Sequence, residues 1–195
     1  MAISQVTAST DQTLDQTVDT LVNSMTLTPA AGDYLVVFTG YLDTGATAKN
    51  YEFSIYVEAA IVQHTERAVD VEGSIAVAGV MSGVATHAWV TVNGSQAIEI
   101  RYRRTSGTTA STMKRRTLTL FPKASADFSQ VTATADAIVS ATADTLLTGM
   151  SITPAAGTYL LVFSGSADNS ATGIQLFHNV YVGGTLVGHS ERVLN

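Results

Sequence analysis

The most regular feature of this chain is alternation of apolar and polar residues at a period of two, which is the signature of half-buried strands. Leu21, Met25 and Leu27 fall on alternate positions with Asn23 interrupting them, predicting a strand that leads into a turn at Pro29. Pro29 presets its own φ and pushes Thr28 towards an extended conformation, and Gly32 supplies a permissive turn backbone. Tyr34, Leu35, Val36, Val37 and Phe38 follow as an unbroken apolar run closed by Gly40. Such a run suits a strand covered on both faces, or one in a sandwich core. Phe53, Ile55 and Val57 alternate with Ser54 and Tyr56, and the strand continues past Glu58 into Ile61 and Val62, so residues 55–67 read as a hairpin. Residues 70–83 are rich in Gly, Ala and Val, with Val71, Ile75, Val77 and Val80 supplying β-propensity. Val90 and Val92 face opposite to Trp89, Thr91 and Asn93, and Asn93-Gly94 signals a hairpin or a looser turn. Ile98 and Ile100 alternate with Glu99 and Arg101, while Leu118, Leu120 and Pro122 close the pattern. Counting these runs gives about eight strands before residue 123, as in a sandwich or jelly roll.

The pattern then begins again. TPAAGDYLVVFTG, Thr28 to Gly40, returns as TPAAGTYLLVFSG, Thr153 to Gly165, and the offset holds without a gap on both sides. SQVTAS at 4–9 returns as SQVTAT at 129–134. The hairpin returns as VYVGGTLVGH, with Gly183-Gly184 in place of Glu58-Ala59, and a glycine pair between β-rich runs marks a tight turn. The chain is therefore expected to be all-β and tandem: a first antiparallel, jelly-roll-like sandwich over 1–122, a linker at 123–128 (KASADF), and a second, partial unit over 129–195. The second copy has nothing equivalent to residues 70–122. Half a sandwich has open edges and an unclosed core. Two readings stay open: the chain is a piece of a longer array, or other subunits supply the missing strands and the protein is an obligate oligomer.

Composition narrows the function. With 46 % hydrophobic and 13 % charged residues the chain is globular rather than disordered. A formal charge of −6 argues against nucleic acid as the main partner. There are no cysteines, which removes disulfides, thiolate metal sites and cysteine nucleophiles. MAISQVTAST lacks the basic and apolar regions of a signal peptide, and no apolar run approaches a membrane-spanning length.

Three polar groupings are candidates for chemistry. Asp11, Asp15 and Asp19 stand four apart, but too few oxygen ligands accompany them for a calcium site. His64, Glu66 and Arg67 return as His189, Glu191 and Arg192. On a strand, H-x-E puts both side chains on one face, as an acid–base pair or a ligand pair would need. No nucleophile motif or further ligand accompanies it, so the structural reading is preferred: Glu and Arg pairing across strands or at a subunit contact. Arg101, Arg103 and Arg104, with Lys114, Arg115 and Arg116, form the only basic concentration. Strands flanking the loop between them would bring both clusters to one end of a sheet, where they could hold phosphate or an acidic surface, or simply protect an edge. No catalytic, metal or cofactor-binding set can be assembled, and the chain is expected not to be an enzyme.

The cues TPAAGDYLVVFTG, QHTERAV, VTVNGSQAIEIRYRR and TLTLFP together resemble the C1q/TNF-type jelly roll, and also jelly-roll repeats of tailed-bacteriophage virion proteins of the head-decoration and head-fibre type. The acidic calcium cluster of C1q is missing and aromatics are few, so no C1q ligand site carries over. The resemblance implies a structural protein on the particle exterior, docking on capsid or other virion proteins as a homo-oligomer, with a trimer as the expected state. The twelve charged and histidine residues of the second and third groupings are then the expected contacts. The alternative is a carbohydrate-binding adhesin or tail-associated module, with Trp89, Tyr41, Tyr51 and Tyr102 as candidate stacking aromatics. Neither nucleic acid nor membrane is an expected partner.

Overall fold

The computed structural model describes residues 2–43, 49–71, 81–107, 110–123, 129–133, 135, 137–167 and 176–194. The expected loops near 44–48 and 168–175, most of the Gly/Ala/Val stretch (72–80), Asp136 and most of the linker (124–128) lie outside the described residues. Among the described residues there is no helix, hence none long and apolar enough to cross a membrane. The chain divides into two compact units, one of Met1–Phe128 with Gly157–Ser166, the other of Ser129–Ala156 with Ala167–Asn195.

The first unit holds ten antiparallel strands: β1 (Ser4–Ala8), β2 (Gln12–Leu14), β3 (Thr20–Leu27), β4 (Gly32–Asp43), β5 (Lys49–Val57), β6 (Ala60–Ile61), β7 (Arg67–Val71), β8 (Met81–Val92), β9 (Ile98–Arg104) and β10 (Ser111–Pro122). One sheet runs β1-β10-β4-β8 with β2 also on β10; the other runs β3-β9-β5-β6 with β7 also on β5. Since β1 and β2 share one edge of β10, and β6 and β7 one edge of β5, four strand positions face four. That is the jelly-roll arrangement, and consecutive strands repeatedly cross between sheets.

Alternation decides what lies between the sheets. Along β4, Tyr34, Val36, Phe38 and Leu42 are buried, and Ile98, Ile100 and Tyr102 of β9 answer from the other side. The rings of Phe38 and Phe53 stack with centroids 6.2 Å apart, and Phe53 lies 6.4 Å from Tyr102, so one aromatic column crosses the sandwich.

One local reading is corrected, and one open alternative is decided. In β3 the inward residues are Val22 and Met25, whereas Leu21 is partly exposed. Leu21 sits opposite Arg101 but Thr26 opposite Glu99, and Ser24 takes φ 66°, so a bulge breaks the alternation. Asn93-Gly94 joins β8 to β9 across the two sheets and makes no hairpin. Gly94 at φ 94° is needed there because a Cβ would stand 2.9 Å from the Ala31 amide nitrogen.

Among the described residues of the second copy, the strands are those of the hairpin: β11 (Leu176–His178), β12 (Tyr181–Val182), β13 (Thr185–Leu186) and β14 (Arg192–Leu194). β11 pairs with β14 and β12 with β13. The described residues in the copies of β1, β3 and β4 are not in strands. Leu161, the counterpart of fully buried Val36, is 59 % exposed, and Phe163, the counterpart of Phe38, 46 %.

Candidate functional site

The repeated H-[TS]-E-R motif builds the return of the hairpin. Tyr56 faces Ile61 across a tight turn at Glu58-Ala59, both with positive φ. The chain then swings out and comes back along β5 as β7, with Phe53 opposite Arg67. His64 takes φ 68°, so the H-x-E segment is a turn, and the expectation of two side chains on one strand face does not hold. Thr65, buried at its centre, receives the Ile55 amide at 3.0 Å and donates to the Val62 carbonyl at 2.7 Å. Its own carbonyl accepts from Thr86 of β8 at 2.7 Å. Arg67 holds the outside of the turn, its Nη1 donating to the carbonyls of His64 and Glu66 at 3.0 and 2.7 Å. Glu66 turns away and pairs with Arg103 at 2.9 Å. The expected Glu–Arg pair across strands is thus made with Arg103 rather than Arg67.

The second copy reproduces the turn itself. Tyr181 faces Leu186, and Gly183-Gly184 take the positive φ of Glu58-Ala59. The Val180 amide donates to Ser190 Oγ at 3.0 Å, and Arg192 Nη1 donates to the carbonyls of His189 and Glu191 at 3.1 and 2.6 Å. Tyr56 donates to Asp19 at 2.6 Å and Tyr181 to Asp144. Burial and then the Asp19 contact push Tyr56 up to about 12, and Arg101 lies 4.8 Å over its ring. The Asp144 hydrogen bond raises Tyr181 as well. Arg192 thus repeats the carbonyl clamp of Arg67.

The basic residues do not form one patch. β9 and β10 belong to different sheets, which corrects the expectation of a shared sheet end. Arg101 binds Glu99 at 2.7 Å; Arg103 meets Glu52, Glu66 and Asp19; Lys114 meets Asp11 at 2.7 Å. Arg116 is buried and donates to the carbonyls of Asn23, Thr10 and Lys114. It is the inner clamp that ties β10 to the bulge of β3. Arg104 is half-buried, with no hydrogen-bond partner for its Nε among the described residues, and Arg115 is exposed. Neutralised in this way, most of the basic concentration is framework. Of the candidate stacking aromatics, Tyr51 and Tyr102 are buried in the core, and Trp89 and Tyr41 are half-buried.

Sequence reasoning missed one cluster. Within the first unit, Ser164 lies 2.8 Å from His87 Nδ1 and accepts from Arg67 Nη2 at 3.0 Å, while Ser166 accepts from the Ala68 amide of edge strand β7 at 2.9 Å. Burial, and then the Arg67 charge, lower the His87 pKa; burial also lowers that of Arg67. No sequence signal marks this, because Ser164 aligns with Thr39 of β4, which makes quite different contacts. Thr65 was detectable: both copies keep a hydroxyl there. Beside these anchors Tyr159, Leu160, Leu161 and Phe163 are exposed.

No known protein family matches the chain, and no curated protein matches it. Among solved structures it is similar to a chain of the infectious bursal disease virus Gt strain, at 11 % identity and a TM-score of 0.43, over 62 % of this chain and 33 % of that one. It is also similar to the Eiger TNF of S. frugiperda, at 14 % identity and a TM-score of 0.39, over 65 % of this chain and 90 % of that one. A family two carbohydrate esterase from Cellvibrio japonicus is similar at 13 % identity and a TM-score of 0.30, over 62 % and 35 %. The chain thus spans about a third of the viral chain.

Proposed function

We propose that this is a non-enzymatic structural protein of a virus particle, a capsid decoration or head-fibre protein that docks on the particle exterior as an oligomer. The observation that supports it best is the contrast between the two groups of side chains just described. The polar motifs that a catalytic reading would need are spent on building turns and matching charges. The exposed apolar side chains of the second copy, by contrast, are suited to contact with another protein surface. A jelly roll that pairs Arg101, Arg103 and Lys114 with its own carboxylates is a rigid carrier for such a surface. On this reading the chain recognises its partner by shape and apolar contact, and the trimer is the expected assembly.

The test is quantitative mass spectrometry of particles purified from the cells that encode the chain, with native mass measurement of the isolated protein. Copies in fixed proportion to the major coat protein, together with a trimeric mass, are the expected result. Absence from washed particles overturns the virion role, and a monomer at micromolar concentration overturns the trimer.

A further inference from the structure

The sequence holds two copies of one half of a jelly roll and a single copy of the other half. In the first unit β4 lies between β8 and β10, and β9 lies between β3 and β5. The long strands of the first half are therefore completed by residues 81–122. The second copy keeps the inward pattern that those strands cover: Val22, Met25, Tyr34, Val36, Phe38 and Ile55 return as Leu147, Met150, Tyr159, Leu161, Phe163 and Val180. Its hairpin is already folded as in the first copy.

The connection also fits. β1 runs antiparallel to β10 with Ser4 opposite Leu120. The counterpart of Ser4 is Ser129, just beyond the end of β10 in the sequence. Neighbouring strands stand about 4.8 Å apart, so the residues between Leu120 and Ser129 are ample to turn the chain back into the place of β1. Residues 81–122 followed by 129–194 thus spell the same jelly roll in circularly permuted order.

We propose that residues 129–194 are a second acceptor for strands β8 to β10 of their own chain, able to take the place of residues 4–69. The occupant follows from the connection: the strands next to Ser129 along the sequence are those of its own chain, and the residues after Leu120 let them pair without a second copy. The first acceptor holds the strands because its inner face is the better fit. Phe53, the middle ring of the aromatic column, is replaced by His178, and Leu42 by Ala167. The inference goes beyond the assembly role and stands without it.

The experiment is hydrogen exchange read by mass spectrometry on the full chain, with native mass measured in parallel. Three variants are compared: Val36→Asp with Phe38→Asp, Leu161→Asp with Phe163→Asp, and all four together. In the first, amides of residues 159–163 are expected to slow by on the order of 100-fold or more, with the native mass of the parent chain kept and Trp89 as shielded as it is there. The second is expected to exchange like the parent chain across 34–38, and the fourfold variant to unfold. The inference is overturned if residues 159–163 stay unprotected in the first variant, whether or not the rest folds. It is equally overturned if their protection comes only with association beyond the assembly state of the parent chain.

Discussion

Residues 55–67 and 180–192 take one form, while residues 34–38 and 159–163, just as alike in sequence, do not. The hairpin has its partners within reach along the chain: Tyr56 meets Ile61, and Thr65 meets the Ile55 amide, as Tyr181 meets Leu186 and Ser190 the Val180 amide. Phe38 sits opposite Thr86 and Leu118, far along the chain, and the second copy has no counterpart of either. An apolar strand code therefore specifies which face is buried but not that it will be buried. Turn chemistry closes on itself, whereas a strand waits for its neighbours.

The largest effect should separate the two phenylalanines. Phe38→Ala opens a cavity beside Phe53 and is expected to cost about 3–5 kcal/mol, whereas Phe163→Ala should stay within about 0.5 kcal/mol. Urea unfolding followed by Trp89 fluorescence measures both, and equal losses would end the comparison. Next comes the buried hydroxyl. Thr65→Val leaves the Ile55 amide unpaired in the core and should cost about 1–3 kcal/mol in the same assay. Ser190→Ala should leave the urea midpoint unchanged and speed exchange only at Val180 and its neighbours. Smaller still is the turn itself. Ala59 holds φ 65° where the second copy has Gly184. Ala59→Gly should therefore raise stability by up to about 1 kcal/mol, read as a higher Tm.

The smallest effect is a pH dependence of the Ser164 anchor. His87 has a lowered pKa in the fold, so the unfolded or detached chain takes up the proton first. The contribution of this contact is complete above the ordinary histidine value of about 6.5 and is lost as pH falls below it towards the lowered value. Exchange at residues 164–166 should accelerate over that window while exchange in β4 does not. His87→Asn should remove the dependence.

How much of this was legible can be read residue by residue. The run from Tyr34 to Phe38 and the hairpin were visible because both depend on short-range pattern, and the glycine pair of the second copy exposed the turn hidden in Glu58-Ala59. The inner face of β3 was not visible, since the bulge at Ser24 exchanges Leu21 for Val22. Alternation also says which residues point inward without saying which sheet they join, so β9 and β10 could not be assigned to opposite layers. The role of Arg116 was out of reach: a buried guanidinium held by three carbonyls looks, in a sequence, like any surface cation.

The single copy of strands β8 to β10 also bears on how the chain is made. A ribosome releases the first half of the jelly roll well before residue 122 emerges, and domains fold as their parts become available. During that interval residues 4–71 lack the same partners that the second copy lacks. The second copy is thus a standing image of the nascent first half: its hairpin closed within microseconds, its long strands still open. The window in which the newborn chain is most exposed to aggregation is the time taken to translate residues 72–122.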